Sequence, residues 1–316
     1  GPPPQRIHPL ILFLLRRLAI GLVVIFLVST AVFLVTRVVT SPEKAYLPID
    51  ASIEQRQAVR ADLGLDQPIG EQYLTFLGDL ARGDLGDSYW QPGKSTLTLV
   101  LDRLPSTLLL NSVAIVVALL IAVPLGIIAA LKAGGAVDRI ATTVSLLGLS
   151  APQFWLGFLL ILFFGVNLQW FPTSGADRPA SIVLPALALA LPTAGKIAQM
   201  MRSTMIDELG RPYMLTAESK GMGQTYRVVR HALRNCAVPV LTQGSFEYAR
   251  MLAGFTVVVE TVFAWPGVGS MTVNALEQQD LMLLQAIVIV IATLIVLVNV
   301  LTDILYSVVD PRIEVA

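Results

Sequence analysis

An all-α polytopic membrane protein is the fold class that the sequence predicts. It has six transmembrane helices, both termini cytoplasmic, and a small helical extracytoplasmic segment between helices 1 and 2. Three observations lead there. Of 316 residues, 55% are hydrophobic and 14% charged, whereas soluble domains carry about 25% charged residues. Six stretches are apolar over the roughly 20 residues that cross a bilayer: about 11–36, 106–131, 140–166, 181–204, 238–262 and 284–308. The lysines and arginines of the short loops fall on alternate sides, as the positive-inside bias requires.

Within the first stretch the apolar run Leu18 to Val35 follows Arg16 and Arg17, and no clean small-x-small cleavage site succeeds it. It therefore reads as an uncleaved membrane helix rather than a signal peptide. Gly1-Pro2 is compatible with a protease scar and is left out of the fold. The third stretch is nearly unbroken from Leu146 to Val166, whereas Pro185, Pro192 and Lys196 interrupt the fourth. From the end of stretch 4 to the start of stretch 5 come Arg202, Arg211, Lys220, Arg227, Arg230 and Arg234, and Lys132 and Arg139 lie between stretches 2 and 3. The opposite face holds Arg178 alone in its short loops. This divides the chain into residues 1–36, an outward segment 37–105, and a core 106–316 whose cytoplasmic loop covers about 205–237.

The outward segment has the signals of folded helices. Ser52 and Gln55 have capping-box spacing, and Gly64 is placed to end that helix. Ile69, Tyr73, Phe76, Leu77 and Leu80 share one helical face. So small a pair cannot bury a core of its own and must pack on the bundle or on a partner.

Charge and composition exclude other classes. Basic and acidic residues balance at 22 each, leaving no footprint for nucleic acid. A single cysteine, Cys236, allows no intrachain disulfide or thiolate cluster. Two distant histidines, His8 and His231, argue against a metal centre. No Gly-x-x-x-x-Gly-Lys-Ser/Thr phosphate loop is present.

The loop after stretch 4 is the most informative. Pro212 suits the first turn of a helix and Gly221 its left-handed cap, so 212–220 forms a short cytoplasmic helix. Gly223 then opens a second helix carrying Arg227, Arg230 and Arg234. From the residues alone two readings stand: a rod that seats in a cytoplasmic partner and passes rigid-body motion on, or an ordinary basic loop.

Here the sequence resembles a family. Thr216-Ala217-Glu218-Ser-Lys220-Gly221, then Arg230-His231-Ala-Leu233-Arg-Asn235, is similar to the coupling loop of ATP-binding-cassette importer permeases, in its dipeptide/oligopeptide (and nickel) branch. The Glu and Pro of the wider motif are absent. Gly64-Leu-Asp-Gln-Pro68, Arg82-Gly-Asp-Leu-Gly86, Arg103-Leu-Pro-Ser-Thr107, Val259-Glu260-Thr-Val-Phe263-Ala-Trp265-Pro-Gly267 and Asp310-Pro-Arg312 resemble the B-type subunit of that branch in order. The resemblance implies a multi-pass subunit of a bacterial or archaeal inner membrane that moves short peptides inward by alternating access. It implies a homologous C-type permease, two ATPase subunits holding ATP and Mg, and an extracytoplasmic binding protein. This chain would bind no cofactor and catalyse nothing itself. Coupling contacts would come from Tyr213, Met214, Thr216, Ala217, Glu218, Lys220, Gly221, Arg227, Arg230 and His231.

Ionisable groups within spans cost roughly 2.5–3.5 kcal/mol each on insertion scales, so each needs a partner or a cavity. Glu247 and Arg250 are three residues apart and can pair. With Glu260, Asn111 and Gln153 they are candidates for the translocation path, and an internal pair that fixes packing is the other reading. Asn111, Ser145, Gln153, Thr193 and Asn299 also suit interhelical hydrogen bonds. Trp155, Trp170, Phe171 and Trp265 suit membrane interfaces. Other readings are the same machinery with a nickel chelate, glutathione, an opine or a sugar as cargo, and a secondary transporter. The last would show inverted repeats or broken midplane helices; no clear repeat is evident, and the loop after stretch 4 would go unexplained. Gln243-Gly-Ser245 is a weak nucleophile-like triplet, with no histidine at membrane depth to activate it.

Overall fold

The computed structural model describes residues 7–39, 47, 52–62 and 64–309. The Asp310-Pro-Arg312 motif lies outside them. The described chain is helical, apart from one isolated bridge between Asp87 and Ser95. In order the helices are α1 (Ile7–Leu34), α2 (Ile53–Asp62), α3 (Ile69–Arg82), α4 (Thr96–Leu131), α5 (Ala136–Ser150), α6 (Gln153–Leu160), α7 (Val183–Leu209), α8 (Pro212–Ser219), α9 (Gln224–Arg227), α10 (Leu233–Arg250), α11 (Thr256–Val262), α12 (Val268–Glu277) and α13 (Leu281–Val309).

Among the described residues four stretches are long and apolar enough to cross a membrane: Leu15–Arg37, Thr96–Leu131, Pro179–Leu209 and Leu281–Leu305. A fifth candidate is the pair Ala136–Ser150 and Gln153–Asn167, which is bent by 104°. The stretch predicted as one nearly unbroken span is thus two helices. Pro152 causes the break: it disfavours helical backbone in the preceding residue, and Ala151 is extended at φ −77°, ψ 128°. The fifth predicted stretch is broken as well. A π turn, Met251–Phe255, separates α10 from α11, with Gly254 at φ 155°. The fourth stretch, by contrast, runs through Pro192 as one helix.

The chain forms two compact units. One comprises Leu108–Trp265 with the two chain ends, and α7 is its centre. In α7's span 67% of the apolar window is buried, against 33% or less in the other three. Small residues make this possible. Ala188, Ala190, Ala194, Gly195 and Ala198 are buried along it, and in spans such residues let backbones approach closely. A Cβ on Gly195 would stand 2.6 Å from the Ser145 carbonyl oxygen of α5. One on Gly126 of α4 would stand 2.7 Å from the Met201 Cβ. Ser145 itself bonds back to the Ala141 carbonyl of its own helix at 2.8 Å, so it is not the interhelical tie that its polarity suggests. Trp265 is likewise no interface residue: it is 5% exposed and packs with Val259 and Phe263.

The other unit comprises Leu15–Thr107 and Pro266–Val296. Its capping box is made as the spacing predicts. Ser52 N–H donates to Gln55 Oε1 at 2.9 Å, and Gln55 N–H to Ser52 Oγ at 3.2 Å. Gly64 is left-handed, φ 63°, and Leu65 N–H closes on the Arg60 carbonyl at 2.8 Å. The apolar face of α3 finds its cover in α1: the Phe33 ring lies 5.2 Å from Tyr73 and 5.3 Å from Phe76. Tyr73 and Thr30 hydroxyls meet at 2.7 Å. Asp280 ties the end of α12 to the loop after α3, accepting from Ser88 Oγ and from Trp90 N–H at 3.3 Å.

Gly126→Ala is expected to cost about 1–3 kcal/mol through overpacking, seen as a lower unfolding midpoint of the purified protein in detergent. Gly244→Ala, where a Cβ meets nothing within 4 Å, is expected to leave that midpoint in place.

Candidate functional site

The polar hairpin after α7 is built by local rules. Arg211 precedes a proline and is extended, φ −73°, ψ 146°, which turns the chain out of α7. Pro212 then starts α8 where its missing N–H is not needed. At the other end Gly221 sits at φ 75°. Its N–H reaches the Glu218 carbonyl at 2.8 Å, and the Met222 N–H reaches Ala217 at 3.2 Å. Those two bonds form a Schellman cap.

One face of α8 is fixed. Met214 and Ala217 are 2% and 7% exposed. Met214 belongs to a core with Met201 and Met205 of α7, Val228 and Ala232 of the following π turn, and Cys236 of α10. The opposite face stays open: Tyr213, Leu215, Thr216, Glu218 and Lys220 are exposed. Tyr226 and Val229 also leave large apolar surface.

Charge locks the hairpin at two points. Arg227 grips Glu218 with both guanidinium ends, Nη1 to Oε2 at 2.9 Å and Nη2 to Oε1 at 3.1 Å. Such forked pairs are geometrically specific. Below, Glu208 at the end of α7 accepts from the Tyr213 hydroxyl and from Asn235 Nδ2 at 2.9 Å, with Arg211 at 3.7 Å. Partial burial, and then Glu208, push the Tyr213 hydroxyl up to about 12, so at neutral pH it keeps its proton and donates. His231 meets the Tyr226 ring edge-on at 5.8 Å, and Arg230 is exposed. All ten residues expected for coupling lie in this one hairpin. The Glu208 and Arg211 clamp was not expected, because nothing in the spacing of the sequence pairs those side chains with Tyr213 and Asn235.

The path candidates do not form one cluster. Glu247 and Arg250 pair as their spacing predicts, at 3.0 Å, and Lys196 of α7 joins them at 3.0 Å. Gln243 Nε2 also donates to Glu247 at 3.1 Å. Asn111 instead accepts from the Thr256 hydroxyl at 2.6 Å. Glu260 is fully buried in α11, and Gln153 opens α6 beside the Pro152 bend. A second tie joins α7 to α5: Arg202 Nη2 donates to Asp138 Oδ2 at 2.7 Å.

The chain is similar to known proteins along nearly all of its length. Residues 122–315 match the family described as the inner membrane component of binding-protein-dependent transport systems, and residues 10–111 match that component's N-terminal family. The chain is 34% identical to the oligopeptide transport system permease protein AppB of Bacillus subtilis (strain 168), over 96% of this chain and 99% of that one. It is 34% identical to the glutathione transport system permease protein GsiC of Escherichia coli (strain K12), over 96% and 98%. Among solved structures, the MetNI methionine ABC transporter in an inward-facing conformation has the same fold. The TM-score is 0.58 at 16% identity, over 67% of this chain and 96% of that one. The chain therefore belongs to the binding-protein-dependent transport system inner membrane component family, as a multi-pass, non-catalytic permease subunit of an ATP-binding-cassette importer.

Proposed function

We propose that this permease is the B-type subunit of a peptide importer, and that its hairpin at α8 takes up the work of ATPase subunits. The observation that carries the reading is the mounting of α8. Its inner face is locked into the α7–α10 core and its outer face is left open, as a lever requires. Relatives named for oligopeptides and for glutathione support short peptides as cargo.

In this reading the chain spans the membrane six times with both termini cytoplasmic. The bent pair α5 and α6 is the third span, and α10 with α11 the fifth. Residues 1–36, 37–105 and 106–316 are the first span, the outer segment and the permease core. A homologous C-type permease completes the path, two ATPases dock below, and a binding protein delivers peptide from outside. ATP and Mg belong to the ATPases, lipid surrounds the spans, and nucleic acid has no part. Closure of the ATPases moves α8 as a rigid body, and the bundle alternates between inward-open and outward-open. Tyr213, Thr216, Glu218, Lys220 and Arg230 present the open face. Met214, Ala217, Gly221, Arg227 and His231 hold the hairpin in shape.

The cargo test is uptake of labelled di- to hexapeptides by the reconstituted complex, with nickel as comparison; uptake of nickel but not of peptide refutes the cargo. Gly221→Val puts a β-branched residue in the left-handed region, which costs roughly 1–2 kcal/mol. Uptake per ATP hydrolysed is expected to fall at least about fivefold while the chain still reaches the membrane. Normal uptake with normal substrate-stimulated hydrolysis refutes the lever. Leu215→Asp, on the open face, is expected to lower the yield of co-purified ATPase without changing the unfolding midpoint of the permease.

A further inference from the structure

Lys196, Glu247 and Arg250 leave a positive charge unspent. Both Glu247 oxygens are taken up by Lys196 Nζ at 3.0 and 3.1 Å and by Arg250 Nη1 at 3.0 and 3.2 Å. Gln243 adds a fifth contact. Two cations thus share one acid that is 5% exposed, while their own side chains are 29% and 32% exposed. Lys196 is the central residue of the 27-residue α7, where an uncompensated charge is costly in a bilayer. Such a charge calls for an anion or a water-filled cavity.

The surroundings favour an anion. Phe255 lies 4.5 Å from the Arg250 guanidinium carbon and Phe246 lies 6.0 Å from it, so aromatic rings hold its plane by cation–π contact. Nη1 is engaged by Glu247, which leaves the other N–H groups of the fork for a second carboxylate. Arg250 ends α10 where the π turn and the Gly254 kink interrupt the helix. Single-turn π bulges and broken spans recur at functional sites.

We infer that Lys196 and Arg250 form an anion subsite that receives the free carboxylate of a passing peptide. This rests on the peptide-import reading above.

The test uses the whole complex in proteoliposomes. Uptake of a labelled tripeptide is compared with uptake of the same peptide as its C-terminal amide, for the native chain, Lys196→Gln, Arg250→Gln and Arg250→Lys. The preference of the binding protein enters every acid-to-amide ratio equally, so a change of ratio between chains reports this site. Arg250→Gln is expected to lower the ratio about tenfold, equivalent to about 1.4 kcal/mol, with amide uptake within about twofold of native. Lys196→Gln is expected to shift it the same way, and Arg250→Lys to restore part of it. Should either Gln variant reduce acid and amide uptake in parallel, or leave the ratio unchanged, the subsite is refuted. If Arg250→Gln does not assemble, Lys196→Gln and Arg250→Lys decide. Failure of the native complex to import either peptide refutes the import reading itself and is seen before any substitution.

Discussion

Close backbone approach along α7 is the constraint on which the Leu108–Trp265 unit depends. Lipid tails are as apolar as leucine, so burial of apolar area supplies little drive for helices to associate within a bilayer. Van der Waals packing and interhelical hydrogen bonds must do it. That demands small side chains where helices cross, and α7 has them in series from Ala186 to Ala198. Gly126 and Gly195 mark crossings with no room for even a methyl group. The larger Met201 and Met205 then fill the volume toward the hairpin, where Met214 meets them. One helix thus joins the packing of the spans to the seating of α8.

Polar groups refine what small residues permit. Asp138 and Arg202 tie α5 to α7, and Asn111 and Thr256 tie α4 to α11. The second pair satisfies polar groups inside apolar helices by joining them, which is the condition for keeping them there. The broken elements meet the same demand differently. At Pro152 the chain abandons the helix and restarts it. At Gly254 it keeps turning through a π bulge, at a φ that a residue with a Cβ rarely adopts.

Much of this was legible in the sequence because it is local. Caps depend on a few neighbouring residues, so Ser52, Gln55, Gly64, Pro212 and Gly221 could be read directly. The i,i+3 pair of Glu247 and Arg250 needed only helical periodicity. Breaks were less legible where apolarity masked them. Residues 140–166 carry no charge and few polar side chains, and hydropathy does not register that Pro152 disfavours helical backbone at Ala151. Tertiary partners were not legible at all. Lys196 lies 51 residues from Glu247 and Glu208 lies 27 from Asn235. Only the packing of α7 against α10 brings them together. Trp265 was misread for the same reason: its amphipathic ring suits a membrane interface, but its place beside Val259 and Phe263 is set by the fold.

Those two long-range pairs have a mechanical consequence. Lys196 and Glu208 stand twelve residues apart on α7, and Asn235 and Glu247 stand twelve apart on α10. At 1.5 Å per residue each interval is about 18 Å. Each pair resists sliding of α7 against α10, and the close packing of small side chains along α7 holds the same register without them. Glu208 also holds Tyr213 of α8, and Met214 is wedged into the core of both helices. The seating of α8 is therefore continuous with packing that extends along α7 and α10 toward Lys196. Beyond it α10 gives way to the π turn, which begins four residues after Glu247 and holds Gly254 seven residues after it. If α8 is the lever proposed above, displacement is absorbed there, beside the Arg250 guanidinium and its aromatic rings, at the boundary between α10 and α11.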